Sequence, residues 1–281
     1  MIQDIRPHVY DNAYQHRRAP RPQDYVFIVR DGREMLMRRE DDSFTLPTVA
    51  QIGEEGLTYA FSVDEHSFFV GAQAPKDDSF AYVSQSEFRT LKPQWLAFAG
   101  ITGMQLWRWM RDHKFCSRCG APVRPSDIER AYCCDSCGDI VYPKISPACI
   151  VGVTHGDYIL VTKYAGRIYR GLALVAGFNE IGETIEETVH REVMEEVGLR
   201  IKNLQFYKSQ PWSFTDSLLF GFYAELDGED ESITLDTTEL GEAKWLHRSE
   251  LPSRAGEPSL TAEMMEMFRI GKQPERTIHE K

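Results

Sequence analysis

Three glutamates, Glu192, Glu195 and Glu196, are the residues of this 281-residue chain whose type and spacing most clearly indicate chemistry. In a helix, residues at i, i+3 and i+4 lie on one face, so the three carboxylates would form a cluster. Like charges this close repel unless a cation lies among them, and oxygen-only ligands suit Mg²⁺ or Mn²⁺. Mg²⁺ in turn prefers one or two protein carboxylates together with substrate phosphates. The alternative is a solvated acidic helix face, which is common for a short acidic pattern on its own.

These glutamates lie in the stretch from Gly177 to Leu199, GFNEIGETIEETVHREVMEEVGL, which carries its own helix signals. Thr184 can act as an N-cap, and Glu186 and Glu187 are favourable in a first turn. Gly198 suits the helix stop. At about 100° per residue, four aliphatic residues form one apolar stripe beside the acids: Ile185, Val189, Val193 and Val197. The stretch therefore predicts a short amphipathic helix that holds the acids next to a buried face.

Four cysteines at paired spacings form a second group with evident chemistry. The pairs Cys116-x2-Cys119 and Cys134-x2-Cys137 are separated by fourteen residues, close to the spacing of a four-cysteine zinc ribbon. A glycine follows each pair, where a tight turn lets the backbone approach sulfur. Thiolates select Zn²⁺, and four sulfur ligands leave no position for a reacting water, so we expect a structural zinc. Two further cysteines are predicted to be a non-ligand and a buried core thiol: Cys133 and Cys149, respectively.

Composition and charge restrict the class of protein. The chain has 42% hydrophobic and 11% aromatic residues, which supports real cores, and its length allows two domains or two plus a small module. A formal net charge of −11 argues against a broad electrostatic grip on nucleic acid, although not against a nucleotide held locally by a metal. The start has no basic-then-apolar signal pattern, and no run of about 18 apolar residues occurs. Because five of the six cysteines lie between 116 and 137, we expect a cytoplasmic protein without a membrane segment.

The order of patterns along the chain predicts an α+β protein in three parts. Residues 1–112 indicate an N-terminal mixed-sheet domain with a bridging helix at 92–113, residues 113–143 the ribbon, and residues 144–281 a C-terminal domain. The first residues, to about position 20, are polar and proline-spotted, so we expect a loosely held lead-in, and we expect a frayed charged tail. Hairpins are predicted at Asp31-Gly32 and at residues 155–157. The stretch IYRGLALVAGF, 168–178, predicts a strand leading into the acidic helix, and LTAEMMEMFRI predicts a final amphipathic helix.

Over roughly residues 89–265 the arrangement resembles the NADH pyrophosphatase (NudC) branch of the Nudix hydrolases. The stretch from Gly177 to Leu199 matches every fixed position of the Nudix box, G-x5-E-x7-R-E-U-x-E-E-x-G-U with U aliphatic. The segment 209–217, SQPWSFTDS, is a near match to the family's substrate-specificity motif SQPWPFPxS. Ser213 and Thr215 replace its two later prolines, and because the fixed φ of proline is lost we expect a looser loop. The resemblance implies a Nudix α/β/α sandwich that binds a dinucleotide across its central pyrophosphate.

The resemblance also implies roles for individual residues. The catalytic Mg²⁺ or Mn²⁺ ligands would be Glu192, Glu195, Glu196 and, from a distant loop, Glu239, for which Glu242 is an alternative. Nine residues are implied to contact the substrate: Phe178, which would stack on a base, Ala176, Glu129, Tyr142, Gln210, Trp212, Ser217, Ala262 and Arg89. The family delivers the contacts of Glu129 and Tyr142 at a homodimer interface, so we expect a homodimer. Phe178, Tyr142, Ala262 and Trp212 have an alternative interpretation as packing residues. Arg191 is predicted to pair with box carboxylates and hold the loop.

The expected activity is metal-dependent hydrolysis of the pyrophosphate of NAD(H) to NMN(H) and AMP. The same bond occurs in RNA that carries a 5′ NAD cap, so removal of that cap is a related expectation. One alternative is a Nudix hydrolase of ADP-ribose, FAD or a dinucleoside polyphosphate, favoured if the altered SQPWSFTDS loop reshapes the pocket. Another is a non-catalytic nucleotide- or RNA-binding module that uses the ribbon, against which the intact acids of the box argue.

Overall fold

The computed structural model describes residues 1–40, 43–166 and 170–274, and these divide between two units. The N-terminal unit comprises Ile2–Lys144 together with the turn Ser213–Asp216. The C-terminal unit comprises Met1, Ile145–Trp212 and Ser217–Lys281. The cysteine ribbon groups with the N-terminal sheets, whereas the sequence predicts a separate domain for it. The predicted tail falls on residues 275–281, which lie outside the described residues.

Two four-stranded sheets form the first part of the N-terminal unit. One has the order β1-β6-β7-β2, and the other has the order β3-β4-β5 with β8 paired to β4. The predicted hairpin between β3 and β4 is confirmed, since Asp31 and Gly32 take positive φ values of 54° and 72° in its turn. The strands are β1 (Tyr10–Asp11), β2 (Tyr25–Phe27), β3 (Val29–Arg30), β4 (Glu34–Glu40), β5 (Ser43–Thr45), β6 (Thr58–Val63), β7 (His66–Val70) and β8 (Phe80–Ser84).

Two helices accompany these sheets, α1 (Val49–Ile52) and α2 (Gln94–Asp112). Helix α2 contacts β2, β6 and β7, and residues 96–101 are buried on every side of the helix, so the core helix predicted for residues 92–113 is confirmed. The whole of α2 lies in the N-terminal unit. None of the helices in the described part of the chain has both the length and the apolar character that a membrane crossing requires.

The first twenty residues are held more firmly than their polar composition predicts. Ile2 and Ile5 are buried, and β1 pairs with β6. The Tyr14 hydroxyl donates to the carbonyl of Ser126 at 3.2 Å, and Arg17 donates to the carbonyl of Asp127 at 2.8 Å. The expectation of a loose lead-in is wrong because contacts with residues more than a hundred positions away order this segment, and local composition carries no sign of them.

The ribbon adds a three-stranded sheet of order β11-β10-β9. Its strands are β9 (Arg124–Pro125), β10 (Tyr132–Cys133) and β11 (Ile140–Val141). All three are only two residues long, so hydrogen bonding within this small sheet contributes little on its own. The ribbon therefore needs a source of stability other than its sheet, and its cysteines can supply one.

The C-terminal unit is built on a six-stranded mixed sheet of order β15-β16-β12-β13-β17, with β14 paired to β12. The β12–β16 pair is parallel, and the predicted β12–β13 hairpin is confirmed. The predicted strand 168–178 begins outside the described residues, and β14 forms its last four. The strands are β12 (Ser146–His155), β13 (Tyr158–Tyr164), β14 (Val175–Phe178), β15 (Ile201–Trp212), β16 (Ser217–Leu226) and β17 (Leu240–His247).

Two helices, α3 (Ile185–Val197) and α4 (Leu260–Arg269), cover opposite faces of this sheet. Successive side chains of a strand point to opposite faces. Accordingly, Cys149 and Val151 of β12 pack in one core cluster with the valines of α3, while Ile150 packs in a second cluster with α4. The α+β class and the α/β/α sandwich predicted from the sequence are therefore confirmed.

Candidate active site

Helix α3 begins and ends at the residues that the sequence predicts. The Thr184 hydroxyl accepts the backbone N–H of Glu187 at 3.2 Å, and the Glu187 carboxylate accepts the N–H of Thr184 at 2.7 Å. This reciprocal capping box satisfies backbone donors that a helix start otherwise leaves unpaired. At the other end Gly198 takes a left-handed conformation with φ 71°, which glycine adopts without a steric penalty. Both ends of the helix are thus fixed by local sequence.

The three box glutamates lie at different depths on this helix. Val189, Val193 and Val197 are fully buried in the core of the C-terminal unit. Glu192 and Glu196, on the flank of that stripe, are only 8% and 3% exposed, whereas Glu195 is exposed. Both carboxylate oxygens of Glu196 are buried. The helix therefore brings two acids to the edge of the core and one to its surface.

Gly177 leaves the space that the Glu192 carboxylate occupies. A Cβ built on Gly177 would lie 1.9 Å from Cδ of Glu192 and 2.1 Å from each of its carboxylate oxygens. Gly177 lies in β14 opposite Cys149 of β12, so strand backbone forms one wall of the acid site. Cys149 is fully buried, as predicted, and burial raises the pKa of its thiol to about 12. The first position of the box therefore has to be glycine, because the Glu192 carboxylate occupies the space that a Cβ would fill.

The environment of Glu192 disfavours its negative charge. Burial raises the pKa of Glu192, and the carboxylates of Glu195 and Glu239 raise it further, against the lowering effect of Arg191. A divalent cation beside these carboxylates would offset both the burial and the mutual repulsion. The electrostatics and the oxygen-only donor set therefore fit a hard divalent cation.

Arg191 holds the acids and the preceding loop in one frame. Its Nε and Nη2 donate to the two oxygens of Glu183 at 2.6 and 3.0 Å, and its Nη1 donates to Glu192 at 2.8 Å and to Glu195 at 2.9 Å. Nη2 also donates to the carbonyl of Phe178 at 2.9 Å. The hydrogen bonds from Arg191 are the main cause that lowers the pKa of Glu183 to about 2. The structural role predicted for Arg191 is confirmed.

Glu239 precedes β17, in a loop fastened to the end of α3. The N–H of Asp236 donates to the carbonyl of Glu196 at 2.9 Å, and the carbonyl of Glu239 accepts the N–H of Ala165 at 2.8 Å. Glu239 is exposed and close enough to influence Glu192. Its alternative, Glu242, accepts Lys163 at 2.6 Å and Lys244 at 2.7 Å, and these bonds lower its pKa to about 2. The geometry favours Glu239 as the further ligand.

The acids do not form a closed ligand cage. In the described part of the chain, the ribbon cysteines are the one group of three or more His, Cys, Asp or Glu residues whose ligand atoms all lie within 4.8 Å of one another. The box carboxylates are spread more widely than that. Such an open set suits an ion that takes part of its coordination from substrate phosphates.

Phe178 and Ala176 lie in β14, next to the box. Phe178 is 56% exposed, although it is a large aromatic residue, and its carbonyl is fixed by Arg191. Ala176 is half-buried and pairs with Ile150 of β12. The exposure of Phe178 argues against the core-packing alternative and leaves its ring available to a base.

Gln210 and Ala262 lie deeper than a ligand contact requires. Gln210 is fully buried, where its Nε2 donates to the carbonyl of Pro258 at 2.9 Å and its Oε1 accepts the N–H of Leu260 at 2.7 Å. Ala262 is fully buried in α4, and its N–H donates to the Ser259 hydroxyl at 3.3 Å. These contacts show that Gln210 fastens β15 to the start of α4. A role of either residue in substrate binding stays a prediction.

The turn Ser213–Asp216 joins β15 to β16 and is firmly held. Trp212 and Ser217 are buried and paired at its two ends. Nε of Arg108 donates to both carboxylate oxygens of Asp216 at 3.1 and 3.3 Å, and its Nη2 donates to the carbonyl of Ser213. The guanidinium of Arg89 lies 4.6 Å from the ring centroid of Phe214.

Arg108 supplies hydrogen bonds to the turn in which Ser213 and Thr215 stand at the two proline positions of the motif. The looser loop expected from the loss of those prolines stays a prediction. Sequence reasoning missed Arg108 and Asp216. No local signal marks a partner 108 positions away, and within α2 Arg108 resembles any surface arginine. The contact between Arg108 and Asp216 is evident in the structure but not in the sequence.

The four ribbon cysteines form a compact sulfur cluster. The Sγ atoms of Cys116 and Cys137 are 3.6 Å apart, and those of Cys119 and Cys134 are 3.5 Å apart. A tetrahedral site with Zn–S bonds of about 2.3 Å places sulfurs about 3.8 Å from each other, so the cluster fits zinc. Cys133 is not part of it, as predicted.

Each knuckle of the ribbon repeats one backbone pattern. The N–H of Cys116 donates to the carbonyl of Ala121 and the N–H of Cys134 donates to that of Asp139. A glycine with φ 74° makes the turn in both knuckles. The two halves are therefore built alike, and the glycines predicted to allow a tight turn do so.

Glu129 and Tyr142 meet on the surface of the ribbon. The Tyr142 hydroxyl donates to the Glu129 carboxylate at 3.0 Å, which raises the pKa of Tyr142. Tyr142 is 55% exposed, against the alternative that it packs inside the ribbon. The structure thus pairs two residues that were singled out from separate parts of the sequence.

Two parts of this chain match models of known protein families. Residues 143–268 match the family model described as the NUDIX domain. Residues 111–142 match the model described as the NADH pyrophosphatase zinc ribbon domain. The boundary between the two matches lies next to the change from the N-terminal to the C-terminal unit at residue 145.

Individual relatives are similar to this chain over part of their length. The chain is 44% identical over 150 residues to proteins named NAD-capped RNA hydrolase NudC from Salmonella paratyphi C (strain RKS4594) and Salmonella typhi. These alignments cover 53% of this chain and 58% of each relative, so the chain spans little more than half the length of the curated relatives it matches. Among solved structures, a NUDIX hydrolase from Nitrosomonas europaea is similar, with 24% identity over 57% of this chain and 92% of that chain and a TM-score of 0.49.

Proposed function

We propose that this chain hydrolyses the pyrophosphate of NAD(H). The premise is that it belongs to the Nudix family, in the group that bears the NADH pyrophosphatase zinc ribbon. The products would be NMN(H) and AMP, and the same reaction would remove NAD caps from RNA 5′ ends. The relatives named NAD-capped RNA hydrolase support the substrate. The observation that carries the reaction is the pair of buried carboxylates, Glu192 and Glu196, beside the glycine backbone of β14.

Four carboxylates would hold the catalytic cation, Mg²⁺ or Mn²⁺: Glu192, Glu195, Glu196 and Glu239. When bound, such a cation neutralises phosphate charge and lowers the pKa of a coordinated water. Arg191 keeps Glu192 and Glu195 at fixed positions, so the acids need not reorganise during the reaction. The support for this set is its oxygen-only chemistry and the raised pKa of Glu192.

The reaction is a substitution at phosphorus. The oxygen of a water forms a bond to one phosphorus of the diphosphate, and the bond from that phosphorus to the bridging oxygen breaks. The electron pair leaves with the bridging oxygen as part of the other monophosphate. The proton of the attacking water passes to a carboxylate of the acid cluster and then to solvent.

Residues around the acids would orient the dinucleotide. We propose that Phe178 stacks on a base, as its exposed ring allows, and that the backbone of Ala176 follows the substrate along β14. Trp212 and Ser217 would contact the substrate from the start and the end of the turn that Arg108 and Arg89 hold. Gln210 and Ala262 would act by fixing the position of α4.

We further propose that the chain is a homodimer in which Glu129 and Tyr142 contact the substrate at the interface between the two copies. Their hydrogen bond and the exposure of Tyr142 support a shared role on the ribbon surface. In this arrangement the zinc ribbon contributes to the substrate pocket as well as to the stability of the chain.

A substrate panel tests the proposed function. NADH, NAD⁺, ADP-ribose, FAD, a dinucleoside polyphosphate and NAD-capped RNA are incubated with the full chain and Mg²⁺ or Mn²⁺, and products are separated by chromatography. We expect AMP and NMN(H) from NAD(H) and loss of the cap from the RNA. A higher kcat/KM for ADP-ribose or FAD would assign the chain to another Nudix substrate, which Ser213 and Thr215 at the family's proline positions make the second candidate. Binding without turnover of any substrate would contradict an enzymatic role.

A further inference from the structure

Two adjoining cavities in the N-terminal unit are not used by the proposed reaction. The outer groove has a volume of about 500 Å³, within the size range of small-molecule sites. The inner chamber is much smaller, about 20 Å³. Four residues line both, so the two cavities are adjacent: Thr58, Met110, Pro125 and Tyr132.

The inner chamber has a buried donor that lacks an acceptor. Trp109, which lines it, is 7% exposed, and its Nε1 is buried without a hydrogen-bond partner among the residues that the structure describes. An indole N–H only donates, and a buried donor is normally paired. The ring of Tyr132 holds the indole in place, with centroids 4.7 Å apart. The indole N–H of Trp109 therefore needs a hydrogen-bond acceptor from outside the protein.

The chamber also has a cation without a counter-ion. Arg130 lines it and donates to the carbonyl of Asn12 at 3.1 Å, and its guanidinium lies 5.4 Å from the ring of Tyr14. Within the described ranges it forms no ion pair with a carboxylate, and burial lowers its pKa. One ordered water in the chamber would satisfy Trp109 but would leave this charge unpaired. An anionic oxygen would satisfy both.

The outer groove is also lined by positively charged and aromatic side chains. Its described lining contains no carboxylate, although the chain as a whole has a net charge of −11. It includes the cations Arg111 and Lys114, His113 and the ring of Trp107. Arg111 lies 5.0 Å from that ring and is paired with Asp112, so Lys114 is the side chain that adds net charge to the groove. His113 is oriented by its Nδ1, which bonds the carbonyl of Trp109 at 2.7 Å.

We propose that the outer groove and inner chamber together bind a nucleoside monophosphate. One phosphate oxygen reaches the N–H of Trp109 and the guanidinium of Arg130, Lys114 balances the remaining charge, and the base lies among the aromatic side chains of the groove. A phosphate alone would leave the aromatic lining unused, and a neutral aromatic compound would leave Arg130 unpaired. This site is separate from the Nudix box, because every residue that lines it belongs to the N-terminal unit.

The test titrates AMP into the zinc-loaded full chain, labelled with ¹⁵N at its tryptophan indoles, in the absence of Mg²⁺ and Mn²⁺. We expect a saturable shift of the Trp109 Nε1–H resonance, assigned by its loss in Trp109→Phe. The Nε1–H of Trp245, which already donates to the carbonyl of Glu231 at 3.1 Å, serves as an internal reference and should stay unchanged. Lys114→Ala should weaken the AMP affinity about tenfold, and Lys76→Ala, a change at an exposed lysine, should leave it unaltered.

Three results would overturn the proposal. The first is an unmoved Trp109 resonance at saturating AMP, which would mean that the chamber holds only an ordered water. The second is an equal affinity for inorganic phosphate, which would exclude a role for the base. The third is an unchanged AMP affinity in Lys114→Ala. Because the readout involves no turnover, none of these results depends on whether the chain hydrolyses NADH.

Discussion

At the scale of single residues, Glu196 is the most deeply buried of the three box glutamates. Its carboxylate is buried at the edge of the core, where an ionised acid is costly unless positive charge is close. Glu196→Gln keeps the shape and removes the charge. We expect kcat for NADH hydrolysis to fall about 10²- to 10³-fold, the loss typical of removing one preorganised electrostatic contact. The measurement is steady-state kinetics at saturating Mg²⁺ and Mn²⁺.

The matched control for this change is Glu186→Gln, at an exposed position of the same helix. We expect it to retain the normal rate. Circular dichroism and zinc content should be unchanged in both variants, because neither residue belongs to the cysteine cluster. Near-normal turnover in Glu196→Gln would show that the acid cluster does not hold the catalytic ion.

Gly177 acts through the absence of a side chain. In Gly177→Ala the new Cβ would lie 1.9 Å from Cδ of Glu192, so the carboxylate has to move by more than an ångström. A displacement of that size can cost about 100-fold in rate. We therefore expect kcat/KM to fall by about that factor and the Mg²⁺ concentration for half-maximal activity to rise. Gly241→Ala is the control, since its Cβ would meet its nearest neighbours at an ordinary 3.7 Å. Equal activities of the two variants would contradict the role of Gly177.

At the scale of elements, the ribbon depends on its metal more than on its sheet. Its three strands have two residues each, and metal binding is coupled to folding in modules of this kind. We expect Cys119→Ser to lose zinc and to lower the midpoint of thermal unfolding. Cys133→Ser, beside the cluster but not within it, should keep one zinc per chain and the normal midpoint. Atomic absorption and calorimetry give both quantities, and a zinc-free Cys119→Ser protein of normal stability would contradict the structural role.

Helix α4 is joined to the preceding loop by an acid whose pKa is strongly shifted. Glu266 accepts Arg269 at 2.6 and 2.9 Å and the N–H of Arg254 at 3.0 Å, and these hydrogen bonds lower its pKa to about 2. Because the folded pKa lies below the unfolded value of about 4.3, the carboxylate stabilises the fold above that pH and the effect is lost as the pH falls toward 2.

Glu266→Gln should therefore destabilise the chain most at neutral pH. We expect the difference in free energy of unfolding between wild type and Glu266→Gln to shrink as the pH falls from about 5 to about 3. Urea denaturation at a series of pH values measures this difference. Glu186→Gln should show no such trend, and a difference that is constant with pH would contradict the shift.

Elements that are specified by nearby residues could be predicted from the sequence. The box helix has its caps, acids and apolar stripe within about twenty residues, and cysteine spacing sets the ribbon knuckles, so the sequence predicts both. The motif marks Gly177 by its position, but the contact of Gly177 with Glu192 depends on the tertiary structure. The ordering of the first twenty residues and the Arg108–Asp216 pair depend on partners about a hundred positions apart, which local patterns do not encode.

At the scale of the whole molecule, the ribbon presents apolar surface that a single copy leaves uncovered. Ile128 is 78% exposed and Phe115 is 64% exposed, close in sequence to Glu129 and Cys116. Large apolar side chains exposed on one small module are compatible with the proposed interface. The proposed homodimer would cover them and would bring Glu129 and Tyr142 to the interface.

This arrangement predicts an oligomeric state and a variant that disrupts it. Size-exclusion chromatography with light scattering should give twice the chain mass of 32.3 kDa. Ile128→Glu places a charge in the covered surface and should raise the dissociation constant of the dimer by at least about tenfold. KM for NADH should rise in the monomeric fraction, since Glu129 and Tyr142 would lose their interface. Val9→Glu, an equally drastic change at a residue 65% exposed but distant from the ribbon in sequence, should leave mass and KM unchanged. A monomeric wild-type chain with full activity, or equal behaviour of the two variants, would contradict an interface on the ribbon.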